Sequence, residues 1–341
     1  MGELDLGSGA VLEQNRPYLI PLNERLELPA GVRGRANPRS STGRVDVFTR
    51  LVTDFGQHFD EVKDGYAGEL FVEVVPRSFT IKVRMGLTLN QLRLMYGSAR
   101  LTDAELIDLG TREPIIYPGT SGFADEHAVV ADGLFLSVDL SGEGRSFAGY
   151  KARKSSALLD LQRTNAYDVS DFFERVEPRD GRLILDQEEF YLLVSRERVR
   201  IPPEYAAEMA AYDPTSGELR THYAGFFDPG FGDVAGDPLE RRGTPAVLEV
   251  RAHDVPFALE HGQRLCKLTF ERMAERPDEA YGLAIGSRYQ RQYLALGRQF
   301  RRERTRPTAR RPKSAEQQPL PLESWAGDEV DPPPLQVAPR E

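Results

Sequence analysis

Apolar and polar residues alternate along many short stretches of this chain, and the stretches are separated by glycine and proline. Tyr18-Leu19-Ile20-Pro21 and Arg25-Leu26-Glu27-Leu28 predict two short strands, with Pro29-Ala30-Gly31 as a turn. Residues 45–52 alternate with period two. Residues 69–75, 79–83, 89–94 and 134–140 predict further strands. Lys63-Asp64-Gly65-Tyr66-Ala67-Gly68 is a glycine-rich turn between two of them. Helical signals are few. Thr102-Asp103-Ala104-Glu105 has the spacing of a capping box, in which hydroxyl and carboxylate each bond the other's backbone N–H. Residues 169–174 are helix-like. Many short strands with few helices predict a mainly β fold of barrel or sandwich type.

The pattern starts again in the second half. Asn23-Glu24-Arg25-Leu26-Glu27-Leu28-Pro29 is echoed by Arg196-Glu197-Arg198-Val199-Arg200-Ile201-Pro202. The glycine turn leading to Val72-Glu73-Val74 is echoed by Gly230-Phe231-Gly232 leading to Leu248-Glu249-Val250. The offsets are 173 and 176 residues, in the same order, which predicts a tandem duplication of one β-rich domain. The expected layout is a first domain over 15–165, a second over 166–300 and a disordered tail over 301–341. Eight of the 24 prolines fall in that tail. Within it, the stretch from Leu320 to Trp325 reads as unengaged tail, with a docking peptide as the alternative.

Composition narrows the function. The chain has 341 residues, 40% of them hydrophobic, as in a soluble globular protein. It has no apolar run long enough to span a bilayer and no secretory leader at its start, so the expected location is cytoplasmic, with no membrane partner. A net charge of −9 argues against a nucleic-acid partner. Cys266 is the only cysteine, which rules out an intrachain disulfide and a zinc site built on two thiolates.

Three stretches carry candidate chemistry. Arg39-Ser40-Ser41-Thr42-Gly43-Arg44 puts two guanidinium forks around three hydroxyls and a glycine, a turn suited to an anion. Shifting it by 174 places Asp213 opposite Arg39 and Glu218 opposite Arg44, so the second copy would repel a phosphate. Glu73 and Glu249 each lie on a strand beside apolar residues. Desolvation there would raise the carboxyl pKa and suit it to taking and giving protons near neutrality. Residues 281–292 combine glycines with tyrosines, arginines and glutamines, as a closing loop would.

Together these stretches resemble the dCTP deaminase branch of the trimeric dUTPase-like superfamily. That branch carries an Arg-Ser-Ser-x-(Ala/Gly)-Arg loop, matched by residues 39–44. Its hairpin ending in Asp-Pro-Gly-(Trp/Phe) is matched by Asp228-Pro229-Gly230-Phe231, and its Val-Leu-Glu strand by Val247-Leu248-Glu249. Its lid is matched by Tyr281-Gly282 and Arg288-Tyr289-Gln290-Arg291-Gln292, with Arg in place of Lys. Lys63 and Asp64 depart from the family's Asp-Pro, although Asp60 is close. The second copy lacks both loop arginines.

The resemblance implies two tandem distorted β-barrel or jelly-roll domains of dUTPase-like type. It implies zinc-independent hydrolysis of dCTP to dUTP and ammonia, with Mg²⁺ carried on the triphosphate rather than in a protein cage. Glu249 or Glu73 would be the proton shuttle, with Ser40 and Arg44 also catalytic. Arg39, Ser40, Ser41, Arg44, Asp228, Tyr281, Arg288 and Gln292 would hold the nucleotide. Family sites lie between neighbouring subunits, so a homo-oligomer is expected, and dTTP is a candidate feedback ligand. The alternatives are a dUTP diphosphatase, a bifunctional enzyme performing both steps, and a catalytically silent nucleotide-binding regulator.

Overall fold

The computed structural model describes residues 3–119, 128–142, 146–211, 219–221, 225–233, 243–252, 254–282, 289, 293–302 and 319–324. The expected counterpart of the anion turn at Asp213 and Glu218, the lid residues Arg288 and Gln292, and most of the tail lie outside these residues. The fold is mainly β. No described helix is long and apolar enough to cross a membrane.

The first repeat runs from β1 to β8. Its elements are β1 (Ala10–Leu12), β2 (Tyr18–Glu27), β3 (Val32–Pro38), the one-turn helix α1 (Ser40–Gly43), β4 (Val47–Thr53), β5 (Glu61–Val62), β6 (Ala67–Pro76), β7 (Ile81–Val83) and β8 (Asn90–Tyr96). The two segments expected near residue 20 form one strand, β2, with a bulge between Pro21 and Arg25 where its pairing with β6 shifts. In β4 and β6 buried and half-exposed residues alternate, so each strand turns one face to the core.

A connector follows. It comprises α2 (Asp103–Arg112), β9 (Ile116–Tyr117), β10 (Ala128–Val130), β11 (Leu134–Ser137), β12 (Gly149–Ala152), β13 (Leu159–Asp160) and β14 (Phe173–Val176). The capping box that starts α2 is closed by Thr102 and Glu105. The helix-like stretch near 169 is only a three-residue 3-10 turn. Phe172 and Phe173, both buried against Phe79, draw the chain into β14 instead.

The second repeat comprises β15 (Arg182–Leu185), β16 (Phe190–Val199), β17 (Tyr205–Ala211), β18 (Leu219–Thr221), β19 (Phe226–Phe227), β20 (Thr244–Ala252), β21 (Phe257–Glu260) and β22 (Arg264–Arg272). It reproduces the ladders of the first. β2-β6-β4 recurs as β16-β20-β18, β5-β3-β8 as β19-β17-β22, and β1-β7 as β15-β21. The register recurs too. Leu19 faces Glu73 in the first repeat and Leu192 faces Glu249 in the second, and the bulge at Pro21/Arg25 returns at Val194/Arg198.

The expected joint at residue 165 needs correcting. β12, on one side of it, pairs with β14 and β16 on the other, so a single sheet runs across that point. The connector adds strands to the edges of the second repeat: β11 extends β22, while β12 and β9 extend β16. The tail is also not wholly loose. β23 (Leu322–Ser324) pairs in parallel with β10, and Leu320 N–H donates to the Ile116 carbonyl. Leu322 is apolar and reaches the glycine of α2, Gly110, where any side chain would collide with it.

Candidate active site

The anion turn folds as α1, with Arg39 as its N-cap residue in extended conformation. Its scaffold comes from the chain just before β8. Arg39 N–H and the Thr42 hydroxyl both donate to the Leu89 carbonyl, each at 2.9 Å, and the Arg39 guanidinium donates to Thr88 Oγ1 at 2.9 Å. The backbone therefore fixes the turn, while Arg39 stays exposed and Ser40 and Ser41 stay half-exposed.

The second repeat presses Glu249 onto this turn. A Cβ built on Gly43 would lie 2.5 Å from Glu249 Oε2 and 2.8 Å from Oε1, so only the bare glycine lets the carboxylate come so close. Glu249 is 8% exposed. Burial pushes its carboxyl well above the usual carboxylate range; the Arg44 charge opposes that shift and the Asp46 charge adds to it. Among the described residues none donates a hydrogen bond to the carboxylate.

A buried ion pair fixes the approach. Arg251, two residues along the same face of β20, bonds Asp46, and Ser78 Oγ donates to the same Asp46 oxygen at 2.5 Å. Asp46 is fully buried and held at φ 55°. Arg251 also donates to the Glu188 carbonyl, and Arg77 pairs with the Glu188 carboxylate at 3.0 Å. This network ties the corner after α1 to the strand that carries Glu249. The sequence reading missed Asp46 and Arg251 as a pair. The available sign was Arg251 standing on the face of Glu249.

The described residues of the expected lid lie on the other side of Arg44. The Arg44 guanidinium lies 4.0 Å from the centroid of the Tyr289 ring and donates to the Ala295 carbonyl at 2.7 Å. Farther along, Tyr293 bonds the buried Asp139. Tyr281 N–H donates to the Pro229 carbonyl, and its ring packs on Phe231, so the start of the lid sits on the hairpin. Asp228 feels the charges of both Arg93 and Arg39. Arg93 spans the repeats, pairing with Glu271 at 3.0 Å and lying over Phe226.

Glu73 has other contacts. It accepts from Arg50 Nε at 2.7 Å, within its own repeat, and its side chain is 23% exposed. Expected as an equal candidate, it is a half-buried carboxylate ion-paired within its own repeat, because β4 puts Arg50 directly opposite it. The structure thus brings Gly43 and Arg44 of one repeat to Glu249 of the other, and sets Arg39 within electrostatic reach of Asp228, on whose hairpin Tyr281 sits.

Two family models cover nearly all of the described repeats. The N-terminal domain of 2'-deoxycytidine 5'-triphosphate deaminase matches residues 1–98, and the C-terminal domain of the same enzyme matches residues 102–300. Their boundary falls between β8 and α2, where the first repeat ends, and not at 165. A dCTP deaminase of Halorubrum lacusprofundi is 29% identical over 157 residues, 42% of this chain and 72% of that protein. A dUMP-forming dCTP deaminase of Methanobrevibacter smithii is 30% identical over 118 residues, 34% of this chain and 56% of that protein. The crystal structure of 2'-deoxycytidine 5'-triphosphate deaminase from Agrobacterium tumefaciens is 46% identical, with a TM-score of 0.73, and the match covers 82% of this chain and 80% of that one. With both domain models matched in order, and with a basic hydroxyl-bearing turn closed onto a buried glutamate, the chain belongs to the dCTP deaminase family.

Proposed function

We propose that this protein hydrolyses dCTP to dUTP and ammonia, with Glu249 as the group that moves protons. The observation that carries this reading is the contact of the Glu249 carboxylate with Gly43, one residue from Arg44. A carboxyl whose pKa is raised by burial can both take a proton from water and give it back near neutrality.

Glu249 accepts a proton from a water whose oxygen adds to C4 of cytosine, and it passes that proton to N3. It then takes the proton of the new C4 hydroxyl and delivers it to the amino nitrogen. The C4–N bond breaks, ammonia leaves and the carbonyl of uracil forms. Arg44 and Ser40 steady the polar intermediate from the turn. Arg39, Ser40 and Ser41 bind the triphosphate, which carries Mg²⁺ as part of the substrate. Tyr281 and the lid exclude bulk water.

Within one chain the second repeat plays the part that a neighbouring subunit would play in the resembled family. Incubation with dCTP and Mg²⁺ tests the reading. Release of dUTP with ammonia supports it. Appearance of dUMP with pyrophosphate would put the chain with its dUMP-forming relatives. Nucleotide binding without turnover would mark a regulator.

A further inference from the structure

The two repeats differ in one respect that the duplication makes legible. In the second, both sheet edges that flank the barrel are covered: β11 pairs with β22, and β12 and β9 pair with β16. In the first, the corresponding strands are β8 and β2. Among the described residues no strand pairs with the outer edge of either. The burial follows the pairing. All but two residues of β16 are buried, whereas none of β2 is.

Between the two bare edges lies a cavity of about 460 Å³. Its walls are mostly aliphatic, with Ile20, Leu22 and Leu26 on the β2 side and Leu87, Leu89 and Leu92 on the β8 side. Leu22, on its wall, packs against both clusters of the first repeat's core. Leu51, Val62, Tyr66 and Leu70 form one cluster, apart from the larger cluster around Val72 and Phe79. Most buried residues of the second repeat form one cluster, which includes Leu134, Leu136 and Val138 in and just after β11, while Phe190 and Leu192 of β16 join the cluster of Val72.

We propose that the slit between β2 and β8 is a docking site for an extended polypeptide of a partner protein, apolar at alternate positions, that adds as a strand along β8. The second repeat shows what such a strand needs. β11 runs antiparallel to β22, with Leu134 opposite Leu268 and Leu136 opposite Cys266. The bulge in β16 carries Glu197, which accepts from Ser137 N–H at 2.8 Å and from the Ser137 hydroxyl. The same bulge in β2 carries Glu24, which is exposed and lines the slit. The incoming strand therefore carries a hydroxyl residue that faces Glu24. Main-chain pairing supplies the affinity, and the alternate apolar side chains and the hydroxyl supply the selection.

A synthetic peptide with the sequence of residues 133–140, flanked by lysines for solubility and labelled with a fluorophore, is the probe. Titrated against the full chain, it is expected to bind saturably in the micromolar range. Hydrogen exchange should slow by at least tenfold at amides on the outer edge of β8. A peptide with Ala in place of the serine, and the variant Glu24→Ala, should each bind at least threefold more weakly. A scrambled peptide should not bind. Leu92→Asp should abolish binding; should that variant not fold, the exchange measurement on the unaltered chain still decides. Binding without slowed exchange at β8, or no binding, overturns the proposal. So does slow exchange in the free chain that quickens on dilution, since a second copy of the chain would then already fill the slit.

Discussion

Gly43 and Glu249 are held so close that a Cβ on the glycine would lie 2.5 Å from the carboxylate Oε2. The two residues belong to different repeats, so this contact joins the anion turn to the proposed proton-moving group. The carboxylate is the far end of a flexible side chain, and it can swing away from a single methyl. Gly43→Ala is therefore expected to lower kcat only a few-fold, whereas Gly43→Val, which adds branched bulk that the Cβ alone does not, should lower it at least a hundredfold. Steady-state kinetics on both variants, with circular dichroism to verify folding, checks this. Equal rates in the two would show that the contact is not part of the chemistry.

Glu249→Gln and Glu73→Gln separate the two glutamates. A positioned general acid–base is worth about 10²–10⁴ in rate. Glu249→Gln should lose turnover in that range, while Glu73→Gln, which loosens only the pair with Arg50 on the sheet surface, should stay within threefold. A large loss in the second and a small loss in the first would reverse the assignment.

The same raised pKa has a consequence for stability. A carboxyl whose folded pKa lies above its unfolded value keeps its proton in the native state at pH values where the unfolded chain has released it. Stability is then lost as pH rises from the unfolded value, about 4.3, toward the folded one. Glu249→Gln removes this penalty. The variant should melt at a higher temperature than the parent at pH 8, with the gap closing near pH 4. Thermal melts across that range read the outcome, and a gap that widens on acidification would contradict the burial argument.

Much of the scaffold could be read from local pattern, because alternation is a local signal. β4 and β6 have one buried face and one half-exposed face, and the strand reading found both. The capping box at Thr102 needs only four residues and was found as well. In the connector the apolar run of β11 reads as a strand, but β12 and β14 lack alternation: β12 is buried at three of its four positions, and the two exposed residues of β14 are adjacent. Whether a strand extends one repeat or the other depends on edges that are distant in sequence, so the joint was misplaced. The Asp46–Arg251 pair links residues 205 positions apart and leaves no local trace. Glu249 and Arg44 could be named as candidates from residue type, but the preference over Glu73 follows only from where the repeats meet.

Asp46 and Arg251 should behave as a unit. Removing one partner of a buried ion pair typically costs about 3–5 kcal/mol, because the other charge is left unpaired. Asp46→Asn and Arg251→Met should each destabilise by that order. The double variant should lose less than the sum, with a coupling of about 0.5–3 kcal/mol for residues in direct contact. Urea melts of the four proteins complete the cycle. Additive losses would mean that the pair does not hold the two repeats in place.

Arg44 is gripped by the lid from two directions, through the Tyr289 ring and the Ala295 carbonyl. A cation–π contact is worth about 0.5–2 kcal/mol, a factor of roughly 2–30 in an equilibrium. Tyr289→Phe keeps an aromatic face over the guanidinium and should leave KM for dCTP within about twofold. Tyr289→Ala removes the face and should raise KM by up to the full factor, with a smaller change in kcat, because the chemistry at Glu249 is untouched. Arg44→Lys keeps the charge but replaces the planar fork that stacks on the ring and reaches the carbonyl. It should lower kcat as well, since the Arg44 charge also acts on the Glu249 carboxylate. Matching profiles for Tyr289→Ala and Arg44→Lys would mean that Arg44 serves only to hold the lid, and would remove it from the chemical step.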